Sequence, residues 1–128
     1  MLDGTAFRHG FTYNGHPVGA AVALENLAII EREGLIERAA TTGARMLERL
    51  KPVEALDCVA EVRGVGLMHG VELAGDRDAG PIAARALERG VVVRASGQKI
   101  VMSPPFVIEE RQADTVVDVL ADELGRLT

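Results

Sequence analysis

The chain has 128 residues, enough for one compact domain that buries roughly two thirds of its unfolded surface. Apolar residues make up 48% and aromatics only 3%, with no Trp, so a core must be built from Ala, Val, Leu and Ile. The formal net charge is −5 and no basic run occurs, which argues against a nucleic-acid partner.

The chain starts with Asp3 and Gly4 close to its end, not with the basic-then-apolar run of a signal peptide. Next comes His9-Gly10-Phe11-Thr12-Tyr13-Asn14-Gly15-His16-Pro17, rich in glycine and hydrogen-bonding side chains. The residues alone leave two readings open: a turn that holds an anion at a helix start, or a plain Gly-rich loop with a helix cap. Pro17 suits the first turn of a helix. From Val18 to Ile30 that helix is apolar around more than one face, which asks for a partner. Glu25 and Asn26 interrupt it, so it is too short to span a membrane, and a soluble cytoplasmic protein is expected.

A second helix fits Leu35 to Leu50, with Leu35, Ile36, Ala39, Gly43, Met46, Leu47 and Leu50 inward. Lys51-Pro52 stops it. Alternation around Val59–Val65 and Gly66–Leu73 predicts two strands with a hairpin at Gly64-Val65-Gly66. Cys58, the single cysteine, excludes an internal disulfide and reads as a buried spectator thiol. Pro81 opens a short helix with Ile82, Ala83, Ala86 and Leu87 inward, closed by Gly90. Val91–Arg94 and Lys99–Met102 read as short strands around a Ser96-Gly97-Gln98 turn. Ala113, Val116, Val117, Leu120 and Leu124 line a C-terminal helix. The order is helix, helix, strand, strand, helix, strand, strand, helix: an α+β fold with a small, mostly antiparallel sheet covered by helices.

Few residues point to chemistry on spacing alone. His9, His16 and His69 lack the clustered partners of a metal site, so no metal is expected. Arg63-Gly64-Val65-Gly66 lacks the full spacing of a phosphate loop and fits a hairpin. No Ser-His-Asp or Cys-His arrangement stands out. Arg94, ending a strand of valines before a flexible turn, suits the two-pronged grip of a carboxylate; a surface arginine at a strand end is the plainer reading.

Taken together, these stretches resemble the C-terminal part of class III aminotransferases, pyridoxal-phosphate enzymes of the aspartate-aminotransferase fold type. The matching pieces are His9 to Pro17, Asn26-Leu27 with Ile30-Glu31-Arg32-Glu33, Val62-Arg63-Gly64-Val65-Gly66-Leu67-Met68 with Gly70-Val71-Glu72-Leu73, Gly90-Val91 with Arg94, and Ser103-Pro104-Pro105-Phe106. They follow the family's order and spacing and cover nearly the whole chain.

The resemblance implies roles. Thr12, with backbone N–H groups near Phe11, would hold the phosphate of pyridoxal 5'-phosphate across a homodimer. Arg94 would bind a substrate carboxylate, as in the omega-amino acid:pyruvate branch. The intact enzyme would pass an amino group from an amine or amino-acid donor to a keto-acid acceptor such as pyruvate.

The resemblance also implies a division into residues 1–16, a remnant of the large cofactor-binding domain; 17–33, an interdomain helix; and 34–128, the small domain. Lys51 and Lys99 are the chain's only lysines, and neither stands at the family's Schiff-base position. No catalytic residue is therefore expected in this chain, which reads as an inactive fragment of a transaminase. The alternatives are a fragment of a 4-aminobutyrate or ornithine-type transaminase, or of a glutamate-semialdehyde aminomutase, and a non-catalytic assembly module.

Overall fold

The computed structural model describes residues 10–127. His9, and with it most of the expected large-domain remnant, lies outside the described residues. The chain divides into two compact units, Met1–Gly34 and Leu35–Thr128.

In the first unit a tight turn precedes helix α1 (Pro17–Arg32). The Asn14 N–H donates to the Phe11 carbonyl at 2.9 Å, and the His16 N–H to the Tyr13 carbonyl at 3.2 Å. Pro17 takes the first helical position, and His16 caps the helix by accepting the Gly19 N–H on Nδ1 at 3.4 Å. Gly34, at φ +59°, closes it. No residue of α1 is buried, and Val18, Val22, Leu24 and Leu27 are exposed. The apolar girth legible in the sequence is exposed at these four positions and half-buried at Ala28, Ile29 and Ile30.

The second unit contains helix α2 (Leu35–Leu50), a 3-10 turn (Lys51–Ala55), strands β1 (Val59–Val65) and β2 (Met68–Leu73), helix α3 (Gly80–Glu88), strands β3 (Arg94–Ser96) and β4 (Lys99–Met102), and helix α4 (Glu110–Gly125). The strands lie in the order β1-β2-β4-β3, every pair antiparallel. The α+β class and the order of elements agree with the sequence reading. Val62, Val71, Leu73, Ile100 and Met102 face a core shared with Met46 and Leu50 of α2, Ile82 and Ala86 of α3, and Val117, Leu120 and Leu124 of α4. Strand alternation sends Arg63, Val65, Met68, Lys99, Arg94 and Ser96 to the other face, where all are exposed. Cys58 is buried and donates to the Leu124 carbonyl. Among the described residues no helix is long and apolar enough to cross a membrane, and no group of His, Cys, Asp and Glu is placed to hold a metal ion.

Several details depart from the sequence expectation. Val91–Val93 is not a strand. The Val91 N–H is taken by the Ala86 carbonyl and the Gly90 N–H by the Leu87 carbonyl, both at 2.9 Å, a Schellman closure of α3 with Gly90 at φ +80°. The strand therefore begins at Arg94 and takes in Ser96, and only Gly97-Gln98 form the turn. The first hairpin likewise turns at Gly66-Leu67, because Val65 pairs with Met68. Ile36 and Leu87, expected inward, are exposed. The contact stripes of α2 and α3 are narrower than their apolar arcs: α2 buries positions 35, 39, 42, 43, 46 and 50, and α3 only Ile82 and Ala86.

Candidate functional site

The turn before α1 presents Thr12 to solvent, and its side chain makes no hydrogen bond among the described residues. A shallow cleft of about 360 Å³ beside it is lined by Phe11, Tyr13, Asn14, Gly15, His16 and neighbouring helix residues. Tyr13 and His16 meet edge to face, with ring centroids 6.4 Å apart. No acidic residue occurs from Gly10 to Leu24. An open hydroxyl donor beside a helix start, with no carboxylate near it in sequence, fits a phosphate group.

The chain has two lysines, Lys51 and Lys99. Lys51 is committed: its Nζ donates to Glu54 Oε1 and to the Val62 carbonyl, each at 2.8 Å. Lys99 opens β4 as an exposed side chain on the uncovered face of the sheet.

Arg94 belongs to the second unit, on edge strand β3. It pairs with Val101, which pairs with Gly70, which pairs with Arg63. These four residues form one cross-strand row on the uncovered face. Gly70 leaves its middle bare: a Cβ added there would meet only the Ile100 carbonyl oxygen, at 3.9 Å. A cleft of about 380 Å³ lies over it, with Val65, Met68 and Val101 as apolar walls and Arg63 and Lys99 at its rim.

The two arginines of the row differ in their partners. Arg63 Nη1 contacts Glu61 Oε2 at 2.5 Å and Glu72 Oε2 at 2.9 Å. The hydrogen bond it donates to Glu72, then the charge of Glu61, raises its pKa above the ordinary guanidinium value. Arg94 is exposed and makes no ion pair or hydrogen bond among the described residues. It is a cation available to an incoming anion.

Two buried polar groups escaped the sequence reading. Glu123 on α4 is fully buried. Arg85 Nε donates to its Oε2 at 2.7 Å, while Arg89 and Arg126 reach Oε1 at 3.1 and 2.9 Å. The Arg85 bond above all, helped by Arg89 and Arg126 against the cost of burial, holds this carboxyl below the usual carboxylate range. His69, buried on β2, shares its Nε2 with the Gly43 carbonyl at 3.0 Å, and its Nδ1 has no hydrogen-bond partner among the described residues. Burial lowers its pKa, so the neutral ring is the stable form. The spacing that would have flagged Glu123 is its place on the apolar side of α4, one position before Leu124.

Comparison with known proteins places this geometry in a family. The model for Aminotransferase class-III matches residues 2–124. The chloroplastic gamma aminobutyrate transaminase 3 of Solanum lycopersicum is 37% identical over 122 residues, covering 87% of this chain and 24% of the relative. The putrescine–pyruvate aminotransferase of Pseudomonas aeruginosa is 37% identical over 128 residues, covering 91% and 28%. The crystal structure of an amine transaminase from an uncultivated Pseudomonas species, in its PLP-bound form, superimposes with a TM-score of 0.85 at 40% identity, covering 95% of this chain and 30% of that one. The chain thus spans about a quarter to a third of the length of the proteins it matches. With the family model matched along nearly the whole sequence, the chain belongs to the class-III aminotransferases, a family of pyridoxal-phosphate enzymes.

Proposed function

We propose that the chain supplies the recognition residues of a transaminase of the omega-amino acid:pyruvate type, and not its covalent chemistry. Arg94 grips the carboxylate of a keto acid such as pyruvate, or of an omega-amino acid, with two parallel hydrogen bonds. Its place on a short edge strand just before Gly97, at φ +56°, leaves the guanidinium free to turn away when an apolar amine enters. Thr12 donates its hydroxyl to the cofactor phosphate of the other subunit of a homodimer, with backbone N–H groups near Phe11 beside it. Residues 17–33 act as the helix between the large domain and the small domain that follows. When bound, pyridoxal phosphate supplies the electron sink that lets an amino group pass from donor to acceptor. Lys51, locked to Glu54, and Lys99, out on the sheet, do not serve as its covalent anchor, so the 128-residue chain by itself does not transaminate. A cytoplasmic location goes with this reading.

The observation that carries the proposal is Arg94 itself, exposed on the edge strand with no ion pair or hydrogen bond among the described residues. An NMR titration of the labelled chain with pyruvate tests it. Amide signals from Arg94 to Gln98 are expected to shift in the native sequence and to stay still in Arg94→Gln. Equal shifts in both proteins count against the assignment. The name of the tomato relative favours a second reading, in which the donor is 4-aminobutyrate.

A further inference from the structure

We propose that a cleft at the end of the sheet, walled by the first turns of α4, is a second binding site, and that it takes a small monocarboxylic acid with an apolar chain or ring. Arg94 does not line this cleft, and the proposal does not rest on the reading given above.

The cleft exists because the sheet stops short. The ladder between β3 and β4 ends with Arg94 opposite Val101. Before β3, the Val91 N–H is spent on the Ala86 carbonyl at 2.9 Å. After β4, Pro104 and Pro105 have no N–H to give. The second segment instead closes into a turn, with the Ile108 N–H donating to the Pro105 carbonyl at 3.0 Å. A space of about 660 Å³ lies between the two segments and α4. Val92, Met102, Pro104, Ile108 and Val116 give it apolar walls. Its size, and a lining that is mostly apolar with a few polar groups, are those of a small-molecule site.

Charge selects the ligand. Glu110, Asp114 and Asp118, four residues apart on α4, are held by Arg45 and Arg49 of α2. Arg111 and Thr115, also four apart, line the cleft. The Arg111 side chain is exposed and makes no ion pair or hydrogen bond among the described residues. The acids beside it in sequence are committed: Glu110 to Arg45 at 2.9 Å, and Glu109 to the backbone N–H of Gln112 in the capping box. Thr115 spends its hydroxyl proton on the Arg111 carbonyl at 2.9 Å, and the Gln112 side-chain oxygen accepts the Glu109 N–H at 2.9 Å. The donors left for a ligand are the Arg111 guanidinium, the Ser103 hydroxyl and the Gln112 amide group. One cation with two neutral donors matches one carboxylate, and the apolar walls match the hydrocarbon part of the acid.

The probe is octanoate, kept below its micelle-forming range, titrated into the 128-residue chain at low ionic strength and followed by NMR. Saturable shifts are expected at the amides of Val92, Ser103 and Thr115. Acetate, which lacks the apolar body, and octylammonium, which reverses the charge, are expected not to saturate there. Arg111→Gln is expected to weaken octanoate binding about two- to fivefold, the worth of an exposed ion pair. Octanoate shifts confined to the exposed apolar residues of α1, or to Arg94 through Lys99, overturn the proposal. So do octylammonium binding as tight as that of octanoate and an Arg111→Gln chain that binds as the native one does. The pyruvate titration at Arg94 is read at other amides, so either claim can fail alone. Arg111 has no described side-chain partner to lose, and the amide spectrum reports whether the variant folds.

Discussion

Gly43 lies in the middle of α2 at the point where the helix meets the first hairpin. A Cβ built on it would sit 1.8 Å from the Gly66 carbonyl oxygen and 2.3 Å from its carbon. Both atoms are backbone, so no rotamer change relieves the clash. Restoring an ordinary contact of about 3.5 Å requires the helix and the hairpin to part by about 1.7 Å. Overpacking of this kind costs about 1–3 kcal/mol, at the upper end when backbone must move. Parting also breaks the bond between the Gly43 carbonyl and His69 Nε2, a further ~1 kcal/mol. Against this, alanine gains about 1 kcal/mol of helix propensity over glycine. The net effect of Gly43→Ala is a loss of about 2–3 kcal/mol. For a unit of this size that lowers Tm by about 10–20 °C. Far-UV circular dichroism during heating measures it, with Gly70→Ala as the control. The added methyl there meets ordinary van der Waals contact on an open face, so no loss is expected. A Gly43→Ala protein as stable as the native chain would show that helix propensity governs this position and that the close approach has no energetic weight.

The two buried ionisable groups both lose their contribution as pH falls, in different ranges. His69 has its folded pKa below the unfolded value of about 6.5, so its stabilising contribution is full above that value and is lost as pH falls through it towards the folded one. The urea midpoint of the native chain is expected to drop between about pH 7 and pH 5, and His69→Gln to flatten that drop; an unchanged slope in the variant refutes it. Glu123 also has a depressed folded pKa, so its contribution is present above the ordinary carboxylate value and disappears as pH falls through the folded one. Glu123→Gln is expected to melt well below the native chain at pH 7 and to converge with it in acid, by differential scanning calorimetry; a deficit independent of pH points to packing and not charge.

What the sequence made legible was local. The start of α1 at Pro17, the polar outer face of α2 and the closure of α3 by Gly90 each depend on residues within a turn of one another, so their spacing announces them. The strand near Arg94 slipped because Val91, a good strand residue, spends its N–H on the Ala86 carbonyl to finish a helix. The helical spacing puts Glu123 on the apolar side of α4, but its partners Arg85 and Arg89 come from α3 by tertiary packing and were not legible. The likeness to a family pointed to Arg94 as a carboxylate ligand. Only the register shows that Lys99 shares its face and that Arg63, on the same row, is already taken by two glutamates.

We propose that the chain holds recognition residues of a class-III aminotransferase and not the lysine that anchors its cofactor. The most direct measurement is alanine formation from pyruvate by the purified 128-residue chain, supplied with pyridoxal phosphate and an amine donor. No alanine above a protein-free control is expected. Sustained turnover that is abolished by Lys99→Gln or Lys51→Gln would contradict it.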